Sequence, residues 1–155
     1  MLRKAATLAA VGWAAAAMLA IVGWRPSYAL NRPSVIRITT LEVQHKRVDV
    51  APHGLSAGDT DISRELLFNR RITKKPIGHG EIVCTFTGGP SRVCSGSFVL
   101  PKGRIVVGGT ILYRQLYQLA VLGGTDLYDG VHGTLTVTSV AKKPPRDVLL
   151  FRLGA

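Results

Sequence analysis

Short strand-forming runs separated by turn residues are the feature that most constrains how this chain folds. From Pro33 onward no stretch keeps a helical period of apolar residues, whereas runs rich in Val, Ile, Thr and aromatic residues recur about every ten residues. Gly, Pro, Asp and Asn stand between the runs, and these residues interrupt strands and form turns. The eight runs span residues 34–46, 63–69, 78–87, 93–100, 104–112, 115–122, 131–140 and 147–153. The pattern predicts an all-β domain.

Eight short strands joined mostly by tight turns are typical of an up-and-down barrel or a sandwich. Closure into a barrel removes the exposed sheet edges that would otherwise pair with other chains. Glycines inside the runs, such as Gly96, Gly108, Gly109 and Gly133, fit the bends of a small, tightly curved barrel. We therefore predict an eight-stranded antiparallel β-barrel, whose interior is just wide enough for side chains or one small ligand.

The N-terminal segment has the layout of a secretory signal peptide. Arg3 and Lys4 precede an apolar, alanine-rich run over residues 5–24, and small residues follow at Ser27 and Ala29. A basic head, an apolar middle and a small-residue exit predict a hydrophobic signal helix that is cleaved after Ala29. The protein is then secreted or extracytoplasmic.

The domain boundaries follow from this reading, with a signal peptide over residues 1–29 and a single barrel domain over residues 30–155. The alternative is an uncleaved membrane anchor, because the apolar run is long enough to cross a bilayer. Arg25 and Pro26 end the run sharply and favour cleavage. Contact with a membrane is expected only through this segment, and only if it is kept.

The two cysteines, Cys84 and Cys94, lie on either side of a chain-reversal signal, Gly88-Gly89-Pro90. Strands on the two sides of this turn run antiparallel, so we predict a cross-strand disulfide in a compartment where disulfides persist. A loop this short contributes on the order of 2 to 3 kcal/mol to stability. Two cysteines without a spaced His pair do not provide four metal ligands, so no metal site is expected. A catalytic thiol is the sharper alternative.

The chain is strongly basic, with 20 Lys and Arg against 9 Asp and Glu. The basic residues stand as scattered pairs rather than as one stripe interleaved with aromatic residues, so no nucleic-acid partner is predicted. A solvated basic face, or loose attraction to acidic envelope polymers or lipid head groups, accounts for the charge. No Ser-His-Asp array, phosphate loop or metal cluster is visible, which argues against hydrolase and nucleotide chemistry, and we expect no cofactor.

Residues 119–135, LAVLGGTDLYDGVHGTL, resemble the signature segment of the allene oxide cyclase and dirigent superfamily. In that family an apolar strand runs into Gly-Gly-Ser/Thr-Gly, an aromatic residue, and a Gly-x-x-Gly that opens the next strand. Asp126 replaces the usual glycine after the Thr. Further features fall in the family's order at Gly58-Asp59, Phe68-Asn69, Ile77-Gly78 and residues 102–105. The resemblance covers roughly residues 35 to 140 and implies an eight-stranded β-barrel with an apolar lumen.

The resemblance also implies site residues. Allene oxide cyclases carry a Glu-x-Asn pair on the first strand, and Leu41-Glu42-Val43-Gln44 is similar to it, with Gln in place of Asn. Glu42 would then influence charge in the lumen, and Gln44 would hold a water on the substrate oxygen. Strict alternation puts both side chains on one strand face. A family proline has a counterpart in Pro52, one position out of step. Cys84 matches a cysteine that lines the pocket in this family. If Cys84 is bridged to Cys94, the likeness is structural and not chemical.

Alternatives remain for each of these side chains. Glu42 instead pairs with an Arg or faces outward at the barrel mouth, because one alternating strand does not say which face is inside. Tyr117 and Tyr113 flank a turn and are packing residues or line the lumen. His79 and His132 are interpreted as surface histidines.

Two hypotheses about function follow. In the first, the barrel binds a small apolar or aromatic metabolite in its lumen and directs its cyclisation or coupling, and the resemblance then implies a cofactor-free isomerase or cyclase and a homo-oligomer, a trimer. In the second, the barrel is a non-catalytic envelope or extracellular scaffold that works through its basic exterior. An open lumen that contains Glu42 favours the first, and a lumen filled by side chains favours the second.

Overall fold

The computed structural model describes residues 33–50, 52–69, 75–112 and 115–154. The predicted signal peptide at residues 1–29 and Tyr113 lie outside these ranges. The described residues form one short 3-10 helix, Asp126–Tyr128, and eight strands. The strands are β1 (Val35–Val48), β2 (Thr60–Phe68), β3 (Gly78–Gly88), β4 (Ser91–Leu100), β5 (Gly103–Ile111), β6 (Leu116–Gly124), β7 (His132–Lys142) and β8 (Pro145–Gly154). Within this part of the chain no helix has the length and hydropathy needed to cross a bilayer.

Each strand pairs antiparallel with the next one along the chain, and β8 pairs with β1, so the sheet closes into a barrel. The predicted eight-stranded antiparallel β-barrel is confirmed. Every predicted run coincides with a strand, although β2 begins at Thr60 rather than at Ser63. Strand alternation places one set of side chains in the lumen and the other on the outer surface.

The closed end of the barrel, where the β2–β3, β4–β5 and β6–β7 connections lie, is packed with apolar side chains. The rings of Phe98 and Phe151 meet edge to face, with their centroids 5.4 Å apart. Both are fully buried, as are Leu67, Ile105 and Leu135. Gly80 is required beside this pair, because a Cβ at that position would lie 2.7 Å from the Phe98 ring. This packing forms the main apolar core.

The 3-10 helix between β6 and β7 covers the closed end. It buries Tyr128, whose ring packs next to Gly103, and Val131 follows it into the core. Asp126 adopts a φ of 56°, in the left-handed region that favours glycine and that Asp tolerates better than most residues. This backbone conformation explains why a glycine is usual at the equivalent position of the signature segment.

Cys84 and Cys94 lie directly opposite each other on β3 and β4 and form a disulfide. Their Cα atoms are 4.0 Å apart, somewhat closer than the roughly 4.5 Å of directly opposed residues in a non-hydrogen-bonded antiparallel pair. The predicted cross-strand disulfide is confirmed. Both half-cystines are buried inside the barrel.

A β-bulge interrupts β1 between Glu42 and Gln44. Glu42 pairs with Glu65 of β2, whereas Gln44 pairs with the next residue, Arg64, so Val43 is the additional residue of the bulge. The bulge reverses the alternation, and from there His45 rather than Gln44 faces inward. The expectation that Glu42 and Gln44 share one face is therefore wrong.

Candidate ligand pocket

The other end of the barrel, the open end, contains a cavity of about 460 Å³. It lies where the β1–β2, β3–β4, β5–β6 and β7–β8 connections meet. Ile82, Cys84 and Ile111 provide apolar lining, while Tyr117 and Ser139 lie on β6 and β7. The volume falls within the range typical of small-molecule sites. The lumen is therefore packed at one end and hollow at the other.

Three carboxylates line one side of this pocket, from three adjacent strands. Glu42 lies on β1, Glu65 on β2 and Asp147 on β8. Glu42 and Glu65 are direct partners across the β1–β2 ladder. We call these three side chains the acidic wall.

Glu65 is the most buried member of the acidic wall, with 5% of its surface exposed. Its Oε2 atom has no hydrogen-bond partner among the described residues. Burial, together with the negative charges of Asp147 and Glu42, raises the pKa of Glu65 from its ordinary 4.5 to about 7, although a hydrogen bond from Thr40 acts in the opposite direction. A carboxyl group with this pKa exchanges protons near neutrality.

Thr40 of β1 contacts two members of the acidic wall through hydrogen bonds. Its side chain is fully buried, and its hydroxyl accepts a hydrogen bond from the backbone N–H of Asp147 at 3.3 Å. The same side chain is hydrogen-bonded to Glu65. One β1 residue therefore links the carboxylate of β2 to the backbone of β8.

Asp61, a fourth pocket carboxylate, is neutralised by arginines. Arg47 donates two hydrogen bonds to its carboxylate, at 2.7 Å from Nε and 3.0 Å from Nη2, and Arg92 donates a third at 3.3 Å. The guanidinium carbons of Arg92 and Arg47 lie 4.7 Å and 5.4 Å from the centre of the Phe86 ring. The nearby Nε2 of His45 is 3.6 Å from Asp61. In this corner of the pocket the charge of Asp61 is therefore offset by two guanidinium groups.

Asp59 organises the loop at the rim rather than the pocket itself. Its buried carboxylate accepts hydrogen bonds from the backbone N–H groups of Val50, at 2.9 Å, and Ser56, at 3.0 Å. These bonds hold the pKa of Asp59 below its ordinary range. The Gly58-Asp59 pair noted in the sequence therefore stabilises the conformation of the β1–β2 loop.

Two of the four site residues predicted from the sequence line the pocket, and two lie outside it. Glu42 lines the pocket, with its Oε2 3.8 Å from Nδ1 of His45, and Tyr117 lines it too. Gln44 lies in a shallow groove on the outer surface, beside Arg64, and Pro52 is exposed in the loop. The structure thus brings Glu42 and Tyr117 together and leaves Gln44 and Pro52 outside.

Sequence reasoning missed Glu65, Asp61, Arg92 and Asp147. Every second residue of β2 faces the lumen: first the polar Asp61, Ser63 and Glu65, and then the apolar Leu67. This alternation predicts a strand but does not predict which of its faces is inside. The missing information was which face points inward. Across the described ranges, no group of three or more His, Cys, Asp or Glu side chains is arranged to hold a metal ion.

No protein-family model matches the chain, and no curated protein is significantly similar to it in sequence. Solved structures do share its fold. A pyocyanin demethylase is 25% identical, with a TM-score of 0.67, over 77% of this chain and 99% of that one.

Two further solved structures extend the likeness. The Diels-Alderase AbmU from Streptomyces koyangensis is 10% identical, with a TM-score of 0.59, over 81% of this chain and 70% of that one. The pterocarpan synthase dirigent protein GePTS1 is 12% identical, with a TM-score of 0.57, over 77% of this chain and 81% of that one. The fold is that of the allene oxide cyclase and dirigent-like β-barrel superfamily.

Proposed function

We propose that this barrel binds one small, largely apolar or aromatic metabolite in its open-end pocket and directs its cyclisation or coupling without a cofactor. The observation that carries the proposal is Glu65, a buried carboxyl group at a cavity of about 460 Å³ whose Oε2 has no hydrogen-bond partner among the described residues. A buried polar atom without a partner costs stability, so its retention in a hollow site points to a ligand.

The pocket would act mainly by shape. Apolar lining from Ile82 and Ile111 holds one reactive conformer away from water, which lowers the entropic part of the barrier. Glu65, with its pKa near 7, would give or take a proton close to neutral pH. Glu42 would supply a second carboxylate beside it. Gln44 is given no part, because it faces the outer groove.

The solved structures with this fold support the choice of a small molecule as ligand. By their names they include a demethylase of pyocyanin, a Diels-Alderase and a pterocarpan synthase dirigent protein. The hollow end also favours this function over the scaffold hypothesis, which a filled lumen would have supported.

We also propose that the protein works outside the cytoplasm. The Cys84–Cys94 disulfide supports this location, because such bonds persist in oxidising compartments. The trimer that the sequence resemblance implies stays a prediction.

Filling the pocket tests the proposal. Ile82 lines the pocket, whereas its neighbour Val83 lies on the outer face of β3 and is 40% exposed. We expect N-phenyl-1-naphthylamine, a neutral fluorescent probe, to bind the wild type and Val83→Trp. The Ile82→Trp variant should bind it at least about tenfold more weakly, because the indole occupies the probe's volume.

Fluorescence titration measures the affinities, and far-UV circular dichroism confirms that both variants fold. Equal affinity of the two variants would place the probe elsewhere and remove the pocket from the proposal. If Ile82→Trp does not fold, Ile82→Phe replaces it in the same comparison.

A further inference from the structure

Within the described part of the chain, Glu65 of the acidic wall is paired with no cationic side chain. Glu65 is buried, and its Oε2 contacts no donor among the described side chains and backbone groups. Burial raises the pKa of Glu65 most, and the negative charges of Asp147 and Glu42 raise it further. Carboxylates gathered this way repel one another when ionised.

A second carboxylate on the same strand, Asp61 of β2, shows how a buried charge is compensated elsewhere in this pocket. Asp61 is bound by Arg47 and Arg92, which together donate three hydrogen bonds to it. These arginines are directed at Asp61, and no ion pair between either of them and Glu65 is found among the described residues. Among the described residues, Asp61 therefore has two guanidinium partners, whereas Glu65 has no ion-pair partner.

A neutral ligand would leave the repulsion within the acidic wall in place, and an anionic ligand would increase it. A cation of suitable size would relieve it, because its charge stabilises the ionised form of the buried Glu65. The apolar side chains of Ile82 and Ile111, with the ring of Tyr117, would contact the rest of such a ligand.

We propose that the pocket selects ligands that carry a cationic nitrogen on an apolar or aromatic frame, with the nitrogen against Glu42, Glu65 and Asp147. This inference rests on the proposed function, since it names the ligand class of the same pocket. It adds a charge requirement that binding to an apolar lumen would not have.

Binding of such a ligand would be linked to proton release. Glu65 holds a proton below its raised pKa and must lose it to pair with the cation, so affinity rises as the pH rises through about 7. The other titratable and charged groups that face the pocket, from the strands around Glu65, are Glu42, His45, Asp61, Arg92, Tyr117, Lys142 and Asp147. A Glu65→Gln variant separates the contribution of Glu65 from theirs.

Three probes of similar shape test the charge requirement: N-methylquinolinium, its neutral isostere 1-methylnaphthalene, and the anion 1-naphthoate. Isothermal titration calorimetry at pH 5.5 and pH 8.5 gives their affinities, and buffers of different ionisation enthalpy give the protons released. For the wild type we expect N-methylquinolinium to bind about tenfold more tightly at pH 8.5 than at pH 5.5 and to release up to about one proton.

Glu65→Gln should lose most of this pH dependence. Glu81→Gln is the matched control, because Glu81 is an exposed β3 carboxylate beside Arg64, and it should behave like the wild type. If Glu65→Gln fails to fold, Glu65→Asp should fold and keep a pH dependence with a shifted midpoint.

The outcomes separate the two proposals. If 1-methylnaphthalene binds and N-methylquinolinium binds no better at pH 8.5, the charge requirement is wrong and the ligand pocket stands. Tightest binding of 1-naphthoate would also overturn the charge requirement. If none of the three probes binds, both proposals fail.

Discussion

The closed and open ends of the barrel are built from the same eight strands by the same alternation, yet their contents are opposite. At the closed end the inward positions hold Phe98, Phe151 and Leu135, all fully buried. At the open end the inward positions of the same sheet hold charged side chains such as Glu65 and Asp61 around a cavity. The change occurs along single strands, since β2 passes from Asp61 to Leu67 within seven residues.

The two ends divide two requirements that oppose each other in one site, namely a stable core and an open, polar cavity for a ligand. Buried carboxylates and an empty volume both lower stability, and a barrel made wholly of them would not fold. Tight apolar packing at the closed end offsets these costs without occupying the space a ligand would need. The ends should therefore respond differently to substitution, to pH and to reduction.

The largest effect should come from truncating the closed-end core. Phe98→Ala removes a fully buried ring that packs against Phe151, and we expect the free energy of unfolding to fall by about 3 to 5 kcal/mol. Tyr117→Ala at the open end should cost about 1 kcal/mol, because that side chain is only half-buried and borders a cavity. Urea denaturation measures both, with Leu122→Ala as the exposed control. Equal losses at the two ends would contradict the division.

A somewhat smaller effect should appear in the pH dependence of stability. Because the pKa of Glu65 is about 7 in the folded protein and about 4.5 when unfolded, its contribution is fully present below pH 4.5 and is lost as the pH rises through 7. Between these limits the free energy of unfolding should fall by about 3 kcal/mol.

Glu65→Gln should remove this part of the pH dependence, measured by urea denaturation between pH 4.5 and pH 8. Glu81→Gln makes the same change of charge at an exposed site and should keep the wild-type slope. An identical slope in wild type and Glu65→Gln would show that Glu65 titrates normally and would weaken the pocket chemistry proposed above.

The smallest effect of the three concerns the disulfide, which borders the pocket. Replacing Cys84 and Cys94 together by Ala opens a loop whose ends are ten positions apart, and the expected loss is about 2 to 3 kcal/mol. Urea denaturation with and without reductant measures this loss of stability. The stability of the double variant should be the same with and without reductant. Binding of N-phenyl-1-naphthylamine to the double variant should persist. Loss of binding without loss of stability would instead show that the half-cystines contact the probe.

Much of this fold was predictable because turn residues and β-rich runs are local signals. All eight strands and the disulfide follow from them. The β-bulge after Glu42 was not predictable, because it depends on how β1 meets β2. That single extra residue moved Gln44 out of the pocket and His45 into it.

The candidate site was predictable only where the resemblance named a residue. Glu42 was found in that way. Glu65 and Asp147 carry no local mark, since an alternating strand reads the same with either face inward. Arg92 stands next to a turn and looks like an ordinary surface cation, and only barrel closure buries it against Asp61.

The pairing of β1 with β8 has a consequence for how this barrel can be attached to something else. Val35 lies opposite Arg152, so the two ends of the barrel domain lie side by side, at the closed end. The mouth of the pocket is at the other pole. A linker or an immobilising surface joined directly before Val35 or after Gly154 would therefore hold the mouth outward, accessible to a diffusing ligand.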